Sequence, residues 1–376
     1  GWITLPSFYA DMDHSGAQDA KSTSKDVLKL LTRLKQENVG GIVIDLRRNG
    51  GGSLDEAIKL TGLFIPDGHG PKPVVQAKDA NGTTRASKAS DQTCAYEGPL
   101  VILTNRLSAS ASEIFAAALQ DYGRAVIIGD QNTFGKGSVQ TMIEIGRYIP
   151  FLGSDSSDAG ALKLTIQKFY RIAGGSTQHR GVASDIRLPS LYDHPDIGES
   201  ALKNPMPYDE VSPVPFTKIT DHPLYIKELK TRSAARVAAD PEFRYVMDDL
   251  SLLKKKIAEN KISLNEKVRH SELSEEKSLK EKRTAAREKQ KQPDQKIFQI
   301  TLDNADKPEL ELAKNDKKEE AKDATKDAAA GTGDEDEDSV GKANSKSFDP
   351  VRAEALHILS DLIDLSRAPK TASVTK

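Results

Sequence analysis

The sequence has a single cysteine, Cys94, and a single tryptophan, Trp2, among 376 residues, and aromatic residues make up only 5%. One cysteine excludes an internal disulfide and any cysteine-rich zinc site. It leaves the redox compartment open, since such a chain survives oxidising and reducing surroundings alike. No apolar run approaches the roughly 20 residues that a membrane-spanning helix needs, so no membrane span is expected. No charge of one sign dominates: 54 basic against 56 acidic residues leave a net charge of −2, which offers nucleic acid no general attraction. The opening Gly1-Trp2-Ile3 has neither a basic n-region nor an apolar h-region, so no signal peptide is expected within this sequence. Hydrophobic residues reach 37% and charged ones 29%, so part of the chain is expected to lie outside any core.

What is present changes character near residue 195. Before it, short apolar runs alternate with helical periods. Gly41–Leu46, Pro99–Thr104 and Ala125–Gly129 read as strands buried on both faces. Val139–Ile145 and Leu162–Tyr170 are longer and more alternating, as at a sheet edge or hairpin. Residues 24–38, 53–65 and 111–122 read as helices, the second opening on the capping-box pattern Ser53-Leu-Asp-Glu56. Strand alternating with helix predicts an α/β fold with a parallel-rich sheet over residues 1–195. Residues 196–312 read as a mostly helical, charged region, with cap-plus-proline helix starts at Asp221-His-Pro223 and Asp240-Pro241. Residues 313–347 are Lys, Glu, Asp and Ala rich and are expected to form a mobile linker. Within 348–376 a last helix is expected from Pro350 to about Ser366, with Leu356, Leu359, Leu362 and Ile363 as its apolar stripe. That stripe suits packing on the chain's own helices, or docking to a partner or adaptor.

Three segments suggest chemistry. In Asp45-Leu-Arg-Arg-Asn-Gly-Gly-Gly-Ser53 a strand ends, three glycines follow and a capped helix begins. Such a loop can bring backbone N–H groups close to a phosphate or an oxyanion, or can simply be a turn. It is not a P-loop, because no Gly-Lys-Ser/Thr follows. In Asn105-Arg-Leu-Ser-Ala-Ser-Ala-Ser112 serines crowd a strand-to-helix junction, where a serine is a cap or an activated nucleophile. In Asn132-Thr-Phe-Gly-Lys136-Gly-Ser-Val-Gln140 a lysine sits between two glycines after an apolar run. Burial there would lower its pKa and let it act as a base; on a surface loop it would do neither. None of the seven histidines falls in these segments, so serine plus lysine is better supported than serine plus histidine.

Taken together, Asp45-Leu-Arg-Arg-Asn-Gly-Gly-Gly52, Ser108-Ala-Ser-Ala-Ser-Glu-Ile-Phe115, Thr133-Phe-Gly-Lys-Gly-Ser-Val-Gln140, Thr165-Ile-Gln-Lys-Phe-Tyr170, Gly174-Gly-Ser-Thr-Gln178 and Gly181-Val-Ala-Ser-Asp-Ile186 resemble the carboxyl-terminal-processing, or tail-specific, proteases. The likeness is to their Prc (Tsp) branch of Gram-negative bacteria and runs in family order through about residues 1–190. The resemblance implies a crotonase/ClpP-like core and a Ser–Lys dyad. By motif, Ser110 is then the nucleophile, Lys136 its base and Gln140 the residue that orients the lysine. The oxyanion hole falls to the amides of Ala111 and of Gly51 or its neighbour. Asp121, which matches a family aspartate, reads as structural.

The resemblance implies no metal or cofactor, a periplasmic location, protein substrates with unstructured apolar C-termini, and an envelope adaptor as a possible partner. Two departures stand out. Ala183-Ser184 replace the Thr-Pro common in the family, and the spacing from Ser110 to Lys136 is one residue longer than usual, with the extra residue near Gln131-Asn132. The PDZ domain of the family is not recognisable, so the chain reads as a piece of such a protein. Two alternatives stay open on sequence alone: a crotonase-like acyl-transfer enzyme, or a non-catalytic scaffold whose charged helices bind a partner.

Overall fold

Val, Ile and Leu at every position of a short run leave no polar face, so such strands are stable only between two covered faces. The computed structural model places them there; it describes residues 1–11, 20–68, 70–89, 92–148, 159–194, 196–289, 296–313 and 349–367. Strands β1 (Trp2–Thr4), β2 (Ile42–Asp45), β5 (Leu100–Thr104), β6 (Val126–Gly129) and β9 (Ile186–Arg187) form one parallel sheet in the order β1-β2-β5-β6-β9. The crossovers carry α1 (Thr23–Gln36), α2 (Leu54–Gly62) and α3 (Ala111–Asp121). Two stretches inserted between these strands build a second, antiparallel sheet, ordered β4-β3-β8-β7, from β3 (Pro73–Asp79), β4 (Thr84–Lys88), β7 (Ser138–Glu144) and β8 (Ala161–Tyr170). The expected hairpin of the two alternating runs is the β7–β8 pair.

Side chains alternate across the parallel sheet. Val43, Val101, Leu103, Val126 and Ile128 form one cluster with Leu229, Phe243, Ala355, Ile358, Leu359 and Leu362. Those partners lie on α4 (Ile226–Ala239), on α5 (Pro241–Glu259) and on the last helix, α7 (Pro350–Arg367). The intervening Ile42, Ile44, Leu100, Ile102 and Ile127 are equally buried. Helices α1, α2 and α3 pack on one another in sequence, and α3 packs on β6. The result is a three-layer α/β/α core with a helical C-terminal region.

The chain divides into two compact units, Gly1–Met247 with Asp349–Lys376, and Asp248–Phe348. These limits differ from the composition segments at 195, 312 and 347: the end of the chain returns to the parallel sheet. Within the first unit, the Arg236 guanidinium on α4 reaches Glu354 and Asp361 of α7 at 2.8 and 2.7 Å. Arg47, at the end of β2, bonds Asp45 at 2.8 Å and Asp349 at 2.7 Å. The second unit holds most of α5, α6 (Glu266–Lys289) and the short pair β10 (Phe298–Gln299) and β11 (Glu311–Leu312). Arg283 of α6 pairs there with Asp249 of α5 at 2.7 Å. The expected mobile linker falls on residues outside those described, apart from Ala313.

The last helix has the expected extent but a different buried stripe. Ala355, Ile358, Leu359 and Leu362 are buried, Ile363 packs beside them, and Leu356 is 40% exposed. The sheet takes the i, i+3, i+4, i+7 set that begins at 355, which leaves Leu356 to one side. The fit is close: a Cβ on Gly41 would lie 2.7 Å from Leu359 Cδ1, so only glycine leaves room for that leucine. Leu359→Ala should therefore destabilise the first unit by about 2–5 kcal/mol, as large-to-small core changes do. Chemical denaturation reads this directly, and a loss below about 0.5 kcal/mol, the range of surface changes, would mean that α7 is not docked.

Candidate active site

The site is built where three chain segments meet at the carboxyl ends of β2, β5 and β6. After β2 the chain turns through Arg48, with φ of 62°, and Gly51, with φ of 106°. Asn49, fully buried, organises the turn. Its side chain donates to the Leu5 carbonyl at 2.8 Å and accepts from the Gly51 amide at 2.9 Å. Its backbone carbonyl accepts from the Ala109 amide at 3.0 Å and from Ser112 Oγ at 2.9 Å. The glycine loop is thereby tied to the serine run. Gly51 lies so close to that run that a Cβ on it would be 2.8 Å from Ser110 Cβ and 3.0 Å from the Ala111 nitrogen.

The three serines separate cleanly. Ser108 is fully buried, accepts from the Asn105 amide at 3.0 Å and donates to the Leu46 carbonyl at 2.8 Å. Ser112 is fully buried on Asn49. Ser110 alone is partly exposed, and it stands at the N-cap of α3 with φ of 56°. A non-glycine residue in that region is strained, and such strain gathers at functional turns. The Ala111 amide, first in α3, has no intrahelical partner, and none of the described residues accepts from it. The Gly51 amide, in contrast, is taken by Asn49. The sequence expectation named Gly51 or its neighbour, and in this structure the Gly51 amide is already engaged. In the same loop the Gly52 amide has no acceptor among the described residues.

The third segment follows β6. Lys136 is partly buried, and its Nζ donates to Gln140 Oε1, on β7, at 3.0 Å. Burial pushes the lysine pKa down; the nearby Lys163 charge adds to this, and Glu199 and Glu113 oppose it. Both ends of the lysine peptide are fastened. The Lys136 carbonyl accepts from Thr177 Oγ1 at 3.2 Å and the Gly137 amide donates to Gln178 Oε1 at 2.8 Å, which explains the Thr-Gln pair after β8. Asn132 pairs with Ala183, and Ser184 Oγ donates to the Asp130 carbonyl at 2.6 Å.

One carboxylate joins the serine turn to the lysine loop. Glu113, fully buried on α3, accepts from the amides of Ser110 and Lys136 through Oε2, at 2.8 and 3.0 Å. Through Oε1 it accepts from Thr133 Oγ1 at 2.6 Å and the Gly135 amide at 2.7 Å. Two residues 26 apart in sequence thus have their amides on a single oxygen atom. The sequence reading passed over Glu113, Asn49 and Thr133. The signal for Glu113 was the Ser-x-x-Glu spacing at 110–113, the same capping pattern as at 53–56. At the latter, Glu56 instead accepts from Ser22 and Ser24 at the N-terminus of α1, at 2.7 and 2.8 Å.

Asp121 pairs with Arg171 at 2.5 Å, away from the serine turn, and His179 places its ring on the Met206 carbonyl at 2.6 Å. Neither contacts Ser110 in the described structure.

Residues 1–188 match peptidase family S41, and residues 192–364 match the C-terminal domain of tail specific protease. The chain belongs to peptidase family S41. Within that family it is 42% identical over 276 residues to a tail-specific protease of Haemophilus influenzae, an alignment covering 72% of this chain and 36% of that protein. It is 39% identical over 192 residues to a carboxy-terminal-processing protease of Bartonella bacilliformis, covering 49% and 40% of the two. The chain thus spans well under half the length of these S41 relatives. The solved photosystem II D1 C-terminal processing protease aligns with a TM-score of 0.39 at 28% identity, covering 50% of this chain and 42% of that one. Among the described residues no helix is long and apolar enough to cross a membrane.

Proposed function

We propose that this S41 chain carries the catalytic part of a carboxyl-terminal-processing serine endopeptidase that works through a Ser110–Lys136 dyad. The observation that carries the reading is the separation of the three serines: Ser108 and Ser112 are consumed by backbone carbonyls, while Ser110 is partly exposed on a strained helix N-terminus. Ser110 Oγ attacks the scissile carbonyl as the neutral Lys136 amine takes its proton. The Ala111 amide, with the Gly52 amide from the glycine loop, receives the developing oxyanion, and the α3 dipole favours it. The lysine returns its proton to the leaving amine, then deprotonates the water that frees the acyl group. Gln140 keeps Nζ aimed by the bond seen here.

The substrates are proteins with unstructured, apolar C-terminal tails. The names of the relatives support action at tails or carboxyl termini; the sequence resemblance supports their apolar, unstructured character, a periplasmic site of action and an envelope adaptor. Incubation with an unfolded reporter ending in an apolar tail, and with its twin ending in charged residues, tests both parts. Cleavage of the first in preference to the second, absent from Ser110→Ala, is expected. Cleavage that survives Ser110→Ala overturns the dyad, and equal cleavage of the two reporters overturns the tail preference.

A further inference from the structure

Glu113 is a carboxylate that no step above uses, yet it is buried with a relative exposure of 0% at the centre of the site. Its four partners are the amides of Ser110, Gly135 and Lys136 and the hydroxyl of Thr133. Three of them are N–H groups, which can only donate. Thr133 Oγ1 already accepts from the Val182 amide at 2.8 Å, so its hydroxyl proton is the one available for Glu113. The carboxyl oxygens therefore meet four donors: a proton on Oε2 would face two amides that cannot accept it, and a proton on Oε1 could be taken by Thr133 Oγ1 only if that hydroxyl turned and gave up its own bond to Glu113.

We propose that Glu113 is the positioning residue of the dyad: its ionised carboxylate fastens the nucleophile turn to the lysine loop, and protonation releases them. The role rests on the Ser110–Lys136 reading. It makes the site a device that needs two deprotonations on its acid side, one at Lys136 to create the base and one at Glu113 to set the geometry. Burial outweighs the four donors and raises the Glu113 carboxyl to about 7, inside the range where the switch can operate.

Few other charges face this group. Lys136 is on the same loop, and Arg106 donates to the Thr133 carbonyl at 3.1 Å while its amide donates to Asp130 at 2.8 Å. Of the elements packed on α3, β6 carries no titratable side chain. On α2, Glu56 and Lys59 bond each other at 3.1 Å, and Asp55 is exposed. On β3, Lys78 lies 3.8 Å from Asp209, and Asp79 accepts from the Asn81 and Thr83 amides.

The test is the pH dependence of reporter cleavage by wild type, Glu113→Gln and Thr133→Val. For wild type, log kcat/KM is expected to reach a slope of two on the acid side, one proton for Lys136 and one for Glu113, with the steepening that Glu113 contributes lying near pH 7. Glu113→Gln should lower kcat about 10²-fold, the scale of a displaced catalytic group, with KM little changed and a slope that stays at one. Thr133→Val removes one donor from the carboxylate and should move the steepening to higher pH. A slope of two retained in Glu113→Gln, or a steepening that does not move in Thr133→Val, overturns the proposal. Should Glu113→Gln fail to fold, the Thr133→Val shift decides alone. A wild type without Ser110-dependent cleavage at any pH would instead sink the dyad reading.

Discussion

Lys136→Arg should be as inactive as Ser110→Ala, with kcat/KM reduced by about 10⁴-fold or more, the scale seen when one member of a nucleophile–base pair is lost. The replacement keeps the charge and approximate length, so a purely electrostatic role for Lys136 would survive it. A base would not, because guanidinium stays protonated at every accessible pH. Burial lowers the lysine pKa and Gln140 aims its Nζ, so the free amine is reached at lower pH than for an exposed lysine. Activity should rise as pH passes upward through that pKa. Stability should follow the same direction: a lysine whose pKa is depressed on folding binds fewer protons folded than unfolded, so stability increases with pH across the interval between the two values. Comparing wild type, Lys136→Ala and Lys136→Arg with the unfolded reporter, with denaturation curves to exclude misfolding, checks both. Substantial cleavage by Lys136→Arg would remove Lys136 as the base.

The parallel sheet was legible because strands buried on both faces are written as unbroken Val, Ile and Leu runs; β2, β5 and β6 lie inside the stretches read from sequence. The first antiparallel strands, β3 and β4, were not read. Their residues are half polar, Gln76, Lys78, Arg85 and Lys88 among them, and their faces are exposed unevenly, so no clean alternation marks them. The last helix was legible in extent from Asp349-Pro350 and its leucines, but its stripe was not. Overlapping i, i+3 and i+4 sets all fit a run holding Ala355, Leu356, Ile358, Leu359, Leu362 and Ile363. Only the sheet beneath chooses between them.

In the site, residue types were legible and hydrogen-bond directions were not. Ser110, Lys136 and Gln140 could be placed by motif, and the Lys136–Gln140 bond joins two of them. Nothing in Asn49-Gly-Gly-Gly52 announces that the asparagine side chain folds back on the Gly51 amide, because that depends on φ values set by the tertiary approach of Phe8, whose amide donates to the Gly51 carbonyl at 2.8 Å. Glu113 reads in sequence as an ordinary capping residue. Beyond the local bond to the Ser110 amide, its other three bonds exist only because the loop after β6 returns to the N-terminus of α3, a contact that local sequence does not encode.

Gly51→Ala should cost about 1–3 kcal/mol of stability, as backbone strain at such sites does, and lower kcat by about 10²–10³-fold, the scale of a disturbed oxyanion donor. Two effects act together. The φ of 106° is one that an L-residue rarely adopts, and the added Cβ would sit 2.8 Å from Ser110 Cβ, 2.9 Å from the Ala109 carbonyl and 3.0 Å from the Ala111 nitrogen. None of these is the far end of a flexible chain, so relief requires the glycine loop or the nucleophile turn to move. Either movement separates Ser110 from the donors that would hold the oxyanion, because Gly51 lies directly against Ser110 and the Ala111 amide. Gly50→Ala is the contrast: its Cβ would meet nothing within 4 Å and its φ is not in the positive region, so its stability should stay within about 0.5 kcal/mol of wild type. Denaturation curves and reporter kinetics on the two variants separate strain from chemistry. A Gly51→Ala protein with wild-type kcat would show that the loop does not border the reacting atoms, and the glycine contribution to the oxyanion site would have to be abandoned.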